Sequence, residues 1–70
     1  MKTVRICLWE HRFRKGWTQA ELARRAGLTQ GYISQIEHGK AIPNLLVAER
    51  LATVLEIPIQ NLLKKVSDEQ

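Results

Sequence analysis

The sequence predicts an all-α, compact five-helix bundle in one small domain. Apolar residues recur at helical spacing along nearly the whole chain. Glycine, proline and capping residues interrupt this pattern at short intervals, and no Asn-Gly or Asp-Gly pair indicates a hairpin. At 70 residues and 44% hydrophobic content, the chain is too apolar for a disordered protein and too short for two domains.

Caps and breakers set the expected bounds of the first three helices. Each is expected to end at or near a glycine, because glycine adopts the left-handed conformation that terminates a helix. These residues are Gly16, Gly27 and Gly39. The first helix is expected from about residue 3 to residue 15. Thr18 and Thr29 are the expected N-caps of the next two, and Glu21 is expected to complete a capping box with Thr18.

Two further helices are expected after Pro43. Asn44 is the expected N-cap of the fourth helix. The apolar residues expected on its core face are Leu45, Ala48, Leu51, Ala52 and Leu55. Pro58 suits the start of a short fifth helix, since proline is favoured in a first turn. Its expected apolar residues are Leu62, Leu63 and Val66. The domain is therefore expected over residues 1–66, with residues 67–70 as a frayed tail.

The second and third helices are joined by a very short turn, Gly27 and Leu28. Helices on such a turn cross steeply and share a small apolar junction, which is the geometry of a helix-turn-helix unit. Ala23 is small where the helices touch. Ile33 and Ile36 are spaced to pack back onto the second helix. The sequence therefore predicts a helix-turn-helix over the second and third helices.

Positive charge is concentrated in the first part of the chain. Residues 1–40 carry eight Lys and Arg against three Asp and Glu, whereas residues 41–70 carry three against four. A one-sided basic half indicates a polyanionic partner, with nucleic acid ahead of a membrane surface. A basic domain without such a partner is equally consistent with the charge.

Three strings of residues resemble the phage-repressor and Cro-type helix-turn-helix domains, known as the XRE family. The strings are WTQAELA at 17–23, GLTQ at 27–30 and YISQIEHGK at 32–40. Both glycines, both Thr-Gln pairs and an Ile-x-x-Ile-Glu-x-Gly run occur in register, and the resemblance covers roughly residues 4–65. It implies a lambda-repressor-like DNA-binding fold whose third helix enters the major groove of double-stranded DNA.

The resemblance implies that the exposed face of the third helix, over residues 29–38, reads base edges. The residues of this face are Gln30, Gly31, Ser34 and Gln35. Glutamine can pair bidentately with adenine, so Gln30 and Gln35 are the expected base readers, and Ser34 can exchange one hydrogen bond. Gly31 departs from this role because it has no side chain. Its presence implies either that the backbone approaches DNA closely at this position or that specificity for the DNA sequence is reduced. An exposed polar face without DNA is the alternative interpretation.

Further side chains are expected to contact DNA phosphates. They are Gln19, Thr29, Tyr32, His38, Lys40 and Asn44. Gln19 and Thr29 lie at expected helix N-termini, where free N–H groups favour an anion. The resemblance also implies that Gln19 supports Gln30. Thr29 and Asn44 have an alternative role as caps, and Tyr32 has one in packing beside the fourth helix.

Arg12 and Glu37 are expected to have a structural role. The resemblance implies that they form a partly buried ion pair, which ties the first helix to the third. Removing one partner of a desolvated pair costs about 3–5 kcal/mol. Trp17 is expected to pack across the corner between the first two helices.

The expected first helix has two apolar faces at about 100° per residue. One face holds Val4, Cys7, Leu8 and His11, and the other holds Ile6, Trp9 and Phe13. A helix on the surface of a lone bundle needs only one apolar stripe. The second stripe is therefore expected to meet either the fifth helix or another subunit.

These features predict a cytoplasmic, sequence-specific transcriptional regulator, a repressor, that binds double-stranded DNA as a homodimer. No enzymatic activity, cofactor or metal is expected, because the histidines and scattered acids assemble no catalytic set. One cysteine and two histidines argue against a four-ligand zinc site, and a single cysteine permits no disulfide within the chain. No apolar run approaches the length of about 20 residues that a membrane span needs, and no secretory leader is expected.

Other functions fit parts of this pattern. The main alternative is the same fold used as an antitoxin-like protein-interaction module, with Ile6, Trp9 and Phe13 as its surface. An RNA binder fits less well, because only four aromatic residues are present for base stacking. A membrane-surface helix fits least, because the bases do not lie opposite a single apolar stripe.

Overall fold

The computed structural model describes the backbone of residues 2–67 and the side chains of residues 6–63. In chain order its elements are β1 (Lys2–Ile6), α1 (Leu8–Lys15), α2 (Gln19–Ala26), α3 (Gln30–Glu37), α4 (Leu45–Leu55), α5 (Ile59–Leu62) and β2 (Leu63–Ser67). The expected five-helix bundle is confirmed, and a two-stranded sheet is added to it. Within this region, none of the helices has the length and apolar character needed to cross a membrane.

The two strands pair the beginning of the described chain with its end. They are antiparallel, and the register runs from Lys2 opposite Ser67 to Ile6 opposite Leu63. The N–H of Cys7 then donates to the carbonyl oxygen of the last residue of α5 at 2.8 Å. The sheet therefore connects directly to the start of α1 and the end of α5.

This pairing corrects the expected bounds of the first and fifth helices. α1 begins at Leu8 rather than near residue 3, and α5 ends before Val66. Ser67 lies in β2 rather than in a tail, and residues 1 and 68–70 lie outside the described residues. The N-terminal segment is rich in β-branched residues, which favour strands. Its partner strand, however, lies at the other end of the chain, where local spacing does not reveal it.

The core lies where the five helices meet. Its fully buried large side chains are Leu8, Leu22, Ile33, Leu51, Leu55 and Leu62. Ala23, Ala26 and Ala48 are also buried, and their small side chains allow α2 and α4 to approach closely. Leu45 is 66% exposed, so its expected place in the core is wrong. It is the first residue of α4, and the apolar face of that helix extends one turn beyond the core.

Hydrogen bonds fix the turn between α2 and α3. Gly27 is left-handed with φ 70°, and the N–H of Leu28 donates to the carbonyl of Ala23 at 2.8 Å. The side-chain oxygen of Thr29 accepts from the N–H of Tyr32 at 3.1 Å, as an N-cap does. The predicted helix-turn-helix is therefore confirmed. Gly27 ends α2 and Thr29 caps the start of α3, as expected.

Replacing Gly27 by alanine should destabilise the domain by about 1–2 kcal/mol, because an L-residue pays that cost in the left-handed region. Gly31→Ala is the matched control. A Cβ at this exposed site inside α3 meets nothing within 4 Å, so this change should stabilise the domain by up to about 1 kcal/mol. Urea unfolding followed by circular dichroism measures both changes. A Gly27 variant as stable as the wild type would contradict this account of the turn.

Candidate nucleic-acid interface

α3 packs one face on the core and presents a polar face to solvent. With about 100° between successive residues, positions 30, 31, 34, 35 and 38 fall within an arc of roughly 140°. Gln30, Gly31 and Gln35 are exposed, and Ser34 is half-buried. The structure therefore brings the four residues predicted to read bases together on one accessible face.

Three of the residues predicted to bind phosphate also support the fold. Thr29 caps α3, and the side-chain oxygen of Asn44 accepts from the N–H of Val47 at 2.9 Å to cap α4. Tyr32 is half-buried and packs against the core. These contacts account for the three residues without DNA. Thr29 and Asn44 are nevertheless exposed, so capping leaves their polar atoms accessible.

His38 and Lys40 lie exposed in the segment that follows α3. Nδ1 of His38 lies 2.8 Å from the carbonyl oxygen of Ser34. Because a carbonyl can only accept, Nδ1 donates this hydrogen bond. The N–H of Lys40 donates to the carbonyl of Gln35 at 2.8 Å. Both bonds fold the segment back onto the end of α3, so that these residues adjoin the exposed polar face.

A charged network joins α1, α2 and α3. Arg12 binds Glu37 through two hydrogen bonds, with its Nε at 2.7 Å and its Nη2 at 3.0 Å from the carboxylate oxygens. The Nη1 of Arg12 also donates to the carbonyl oxygen of Trp17 at 2.9 Å. The ion pair that the resemblance implied is therefore present. The amide of Gln19 donates to Glu37 at 2.9 Å, whereas the resemblance implied that it supports Gln30.

The network contains a nearly buried carboxylate. The side chain of Glu37 is 6% exposed and that of Arg12 is 17% exposed. Paired N–H···O bonds between a guanidinium and a carboxylate are strong and directional. Because Glu37 is the last residue of α3 and Gln19 the first of α2, these bonds fix both helices against α1.

A second cluster covers the corner between α1 and α2. The guanidinium carbon of Arg25 lies 4.3 Å from the ring centre of Trp17, which is half-buried at this corner as predicted. Arg24 and Arg25 both bind the carboxylate of Glu21. The hydrogen bond from Arg24 lowers the pKa of Glu21, desolvation opposes this shift, and Arg25 adds to it. The N–H of Glu21 donates to the side-chain oxygen of Thr18 at 3.0 Å, which is one of the two hydrogen bonds of the expected capping box. The carboxylate of Glu21, which would make the other one, is bound to the two arginines.

α1 leaves two large aromatic side chains exposed. Trp9 is 51% exposed and Phe13 is 71% exposed, and their rings form an edge-on contact with 6.1 Å between centres. Of the two partners expected for this stripe, the fifth helix therefore does not cover Trp9 and Phe13, and another subunit stays the open alternative. Ile6 does not share their helix, since it ends β1 and packs partly against the core.

A second exposed apolar group, at the start of α4, was not predicted from the sequence. Ile42 is 79% exposed, and Leu45 and Leu46 are 66% and 68% exposed. The spacing of Leu45 resembled that of the core residues of α4, which concealed this group. The placement of Ile42 in a loop just before Pro43 was the signal that could have indicated it.

Comparison with known proteins identifies the family to which this chain belongs. The family model described as helix-turn-helix matches residues 11–62. The chain belongs to the XRE-type helix-turn-helix family. A helix-turn-helix-type transcriptional regulator of Methanothermobacter thermautotrophicus is 42% identical over 52 residues, which are 74% of this chain and 75% of that protein. SinR of Bacillus subtilis is 33% identical over 77% of this chain, which spans 50% of the length of SinR.

Solved structures of this family share the fold. The restriction-modification controller protein C.AhdI of Aeromonas hydrophila has a TM-score of 0.76 and 36% identity, over 79% of this chain and 83% of that one. SinR, described as the master regulator for biofilm formation and solved in complex with DNA, has a TM-score of 0.75 and 30% identity, over 79% and 89% of the two chains. The resemblance and the fold class predicted from the sequence are therefore confirmed.

Arg12→Met should lower the free energy of unfolding by about 3–5 kcal/mol, because it leaves the carboxylate of Glu37 without a counter-charge. The control is Lys15→Met. The ion pair of Lys15 with Glu56 lies on the surface, where Glu56 is 76% exposed, and such pairs contribute at most about 1 kcal/mol. Urea unfolding measures both variants.

A double variant, Arg12→Met with Glu37→Met, tests whether the cost comes from the unpaired charge. Removing both charges should recover part of the stability lost in the single variant. Similar losses in the Arg12 and Lys15 variants, or no recovery in the double variant, would contradict the role assigned to the network.

Proposed function

We propose that this chain is a sequence-specific transcriptional regulator that binds double-stranded DNA with α3 in the major groove. The observation that carries the proposal is the exposed face of α3, where Gln30, Ser34 and Gln35 project from a helix fixed by the Arg12–Glu37 pair. The major groove admits an α-helix, and glutamine can pair with both hydrogen-bonding atoms of the adenine edge. Membership of the family and the solved complex of SinR with DNA support this proposal.

The residues around this face suit a phosphate backbone. His38 and Lys40 are exposed beside the end of α3, and Asn44 lies at the start of α4. Gln19 and Thr29 lie at the N-termini of α2 and α3, where unpaired N–H groups attract an anion. We assign these residues, together with the neighbouring Tyr32, to phosphate contacts. They position the protein on DNA without reading its sequence.

We also propose that the chain binds as a homodimer. A single small module buries only about 600–1,000 Å² on DNA, which limits the number of base contacts. A two-fold dimer doubles those contacts and places its half-sites about 34 Å apart, one turn of DNA. The exposed pair Trp9 and Phe13 is the proposed subunit contact, because aromatic side chains are enriched in interfaces. Repression and a cytoplasmic location stay predictions.

Two substitutions separate base reading from phosphate binding. The probes are a duplex selected by the wild-type chain from a random pool and a scrambled duplex of the same length. Gln35→Ala should cost about 1–3 kcal/mol on the selected duplex and little on the scrambled one. Lys40→Ala should weaken binding to both duplexes similarly and reduce the salt slope by about 1.

Fluorescence anisotropy at several salt concentrations measures these constants. If the two variants have the same effect on both duplexes, the division of roles is wrong. If the wild-type chain prefers no duplex in the pool, DNA recognition itself is wrong, and the protein-interaction function becomes the favoured one.

Trp9→Glu should convert the proposed dimer to a monomer, because it places a charge in the aromatic contact. Leu46→Glu is the matched control, since Leu46 is a similarly exposed apolar residue at the start of α4. This control should leave the mass of the particle unchanged. Light scattering after size exclusion measures the mass. An unchanged mass for a folded Trp9 variant, or dissociation by the Leu46 variant alone, would contradict the proposed contact.

A further inference from the structure

The sheet formed by β1 and β2, called here the basic ribbon, is strongly charged. Over Lys2–Ile6 and Leu63–Ser67 it contains four basic residues and no acidic ones. The four are Lys2, Arg5, Lys64 and Lys65. In the remainder of the chain, seven Lys and Arg balance seven Asp and Glu. The ribbon therefore carries a charge equal to the formal net charge of +4 of the whole chain.

The basic ribbon begins beside the segment proposed to follow the DNA backbone. Ile6, the last residue of β1, borders an open groove of about 300 Å³. His38, Gly39, Ala41 and Ile42 also line this groove. His38 is one of the residues assigned to phosphate contacts, so the root of the ribbon adjoins the proposed interface.

The ribbon is long enough to reach more than one phosphate of a DNA strand. Its strands have five residues each, which at about 3.3 Å per residue span roughly 17 Å. One DNA strand carries one negative charge per about 3.4 Å of helix axis but also winds around that axis, so a straight ribbon of this length faces only some of the about five phosphates in that rise. The family match covers residues 11–62 and leaves both strands out, so the matched domain does not account for the ribbon.

The ribbon also has a physical reason to bind a polyanion. A two-stranded sheet is only marginally stable alone, and the strands contact the helices mainly through α5. Four like charges on so small an element repel one another, and phosphates would relieve that repulsion. A second copy of the chain is a poorer partner for the ribbon edge, because pairing would bring two ribbons of charge +4 together.

We propose that the basic ribbon is a second DNA contact, which binds phosphates beside the bases read by α3 and does not read sequence. This inference rests on the proposed function, since it extends the same interface. It predicts that binding depends on salt more steeply than the helix-turn-helix unit alone would require.

The test compares two pairs of substitutions that each remove two positive charges. The ribbon variant is Lys64→Gln with Lys65→Gln, and the control is Arg14→Gln with Lys15→Gln on α1. Lys15 pairs with Glu56 at the turn after α4, and neither Arg14 nor Lys15 is assigned a DNA contact. A third variant, Lys64→Arg with Lys65→Arg, retains the charge of the ribbon. Each is titrated from 50 to 200 mM salt on the selected and scrambled 30-base-pair duplexes, with circular dichroism to verify folding.

On both duplexes, the ribbon variant should reduce the salt slope by about 1. Successive residues of a strand lie on opposite faces, so one of the two adjacent lysines can face the DNA, and each lost phosphate contact changes the slope by about 0.9. The wild-type advantage in affinity should then shrink about 3- to 4-fold between 50 and 200 mM salt. The control and the arginine variant should keep the wild-type slope.

Several results would overturn the proposal. An unchanged slope for the ribbon variant, or an equal reduction in the control, would show that the ribbon makes no phosphate contact. An equal reduction in the arginine variant would show that ribbon geometry, and not its charge, affects binding. A change in oligomeric state with no change in slope would assign the ribbon to self-association. Failure of the wild-type chain to prefer any duplex would instead overturn the proposed function, and the slopes on scrambled DNA would still test the ribbon.

Discussion

The position of α3 on the surface of the domain depends on the ion pair between Arg12 and Glu37. A helix of eight residues is too short to be stable alone in water, so its position is set by its contacts. Packing holds the inner face of α3 on the core. The bidentate pair holds its last residue against α1, and Gln19 fixes the start of α2 to the same carboxylate. The elements that carry the proposed DNA contacts therefore form one connected unit.

This connection has a consequence for binding. Side chains that project from a fixed helix lose less conformational freedom on binding than those of a mobile loop. The reading face is small, with two glutamines and one serine, and Gly31 adds no side chain. Specificity from one copy is correspondingly limited. Such a domain can gain affinity from a two-fold dimer and from added phosphate contacts by the basic ribbon. Only the dimer also adds base contacts, which read the DNA sequence.

Local signals allowed the boundaries of the helix-turn-helix to be predicted from the sequence, whereas the DNA-contacting roles of its side chains came from the resemblance. Gly27 and Thr29 act within one turn of their own positions, so the helix-turn-helix boundaries could be read directly. Pairing between distant segments could not. The strand residues at the two ends of the chain define a sheet only together, and helical spacing placed Val66 in α5. Leu45 shows the same limit, because spacing identifies a helix face but not where the core beneath it ends.

If the outer face of α3 lies along DNA, amide NMR with the selected duplex will locate the contact residue by residue. We expect the largest shift changes at the backbone amides of Gln30, Ser34 and Gln35, with smaller changes at the loop that follows α3. Buried amides of α4, such as that of Leu51, should move little. Changes centred on Trp9 and Phe13, with α3 unaffected, would show that α3 does not lie along DNA.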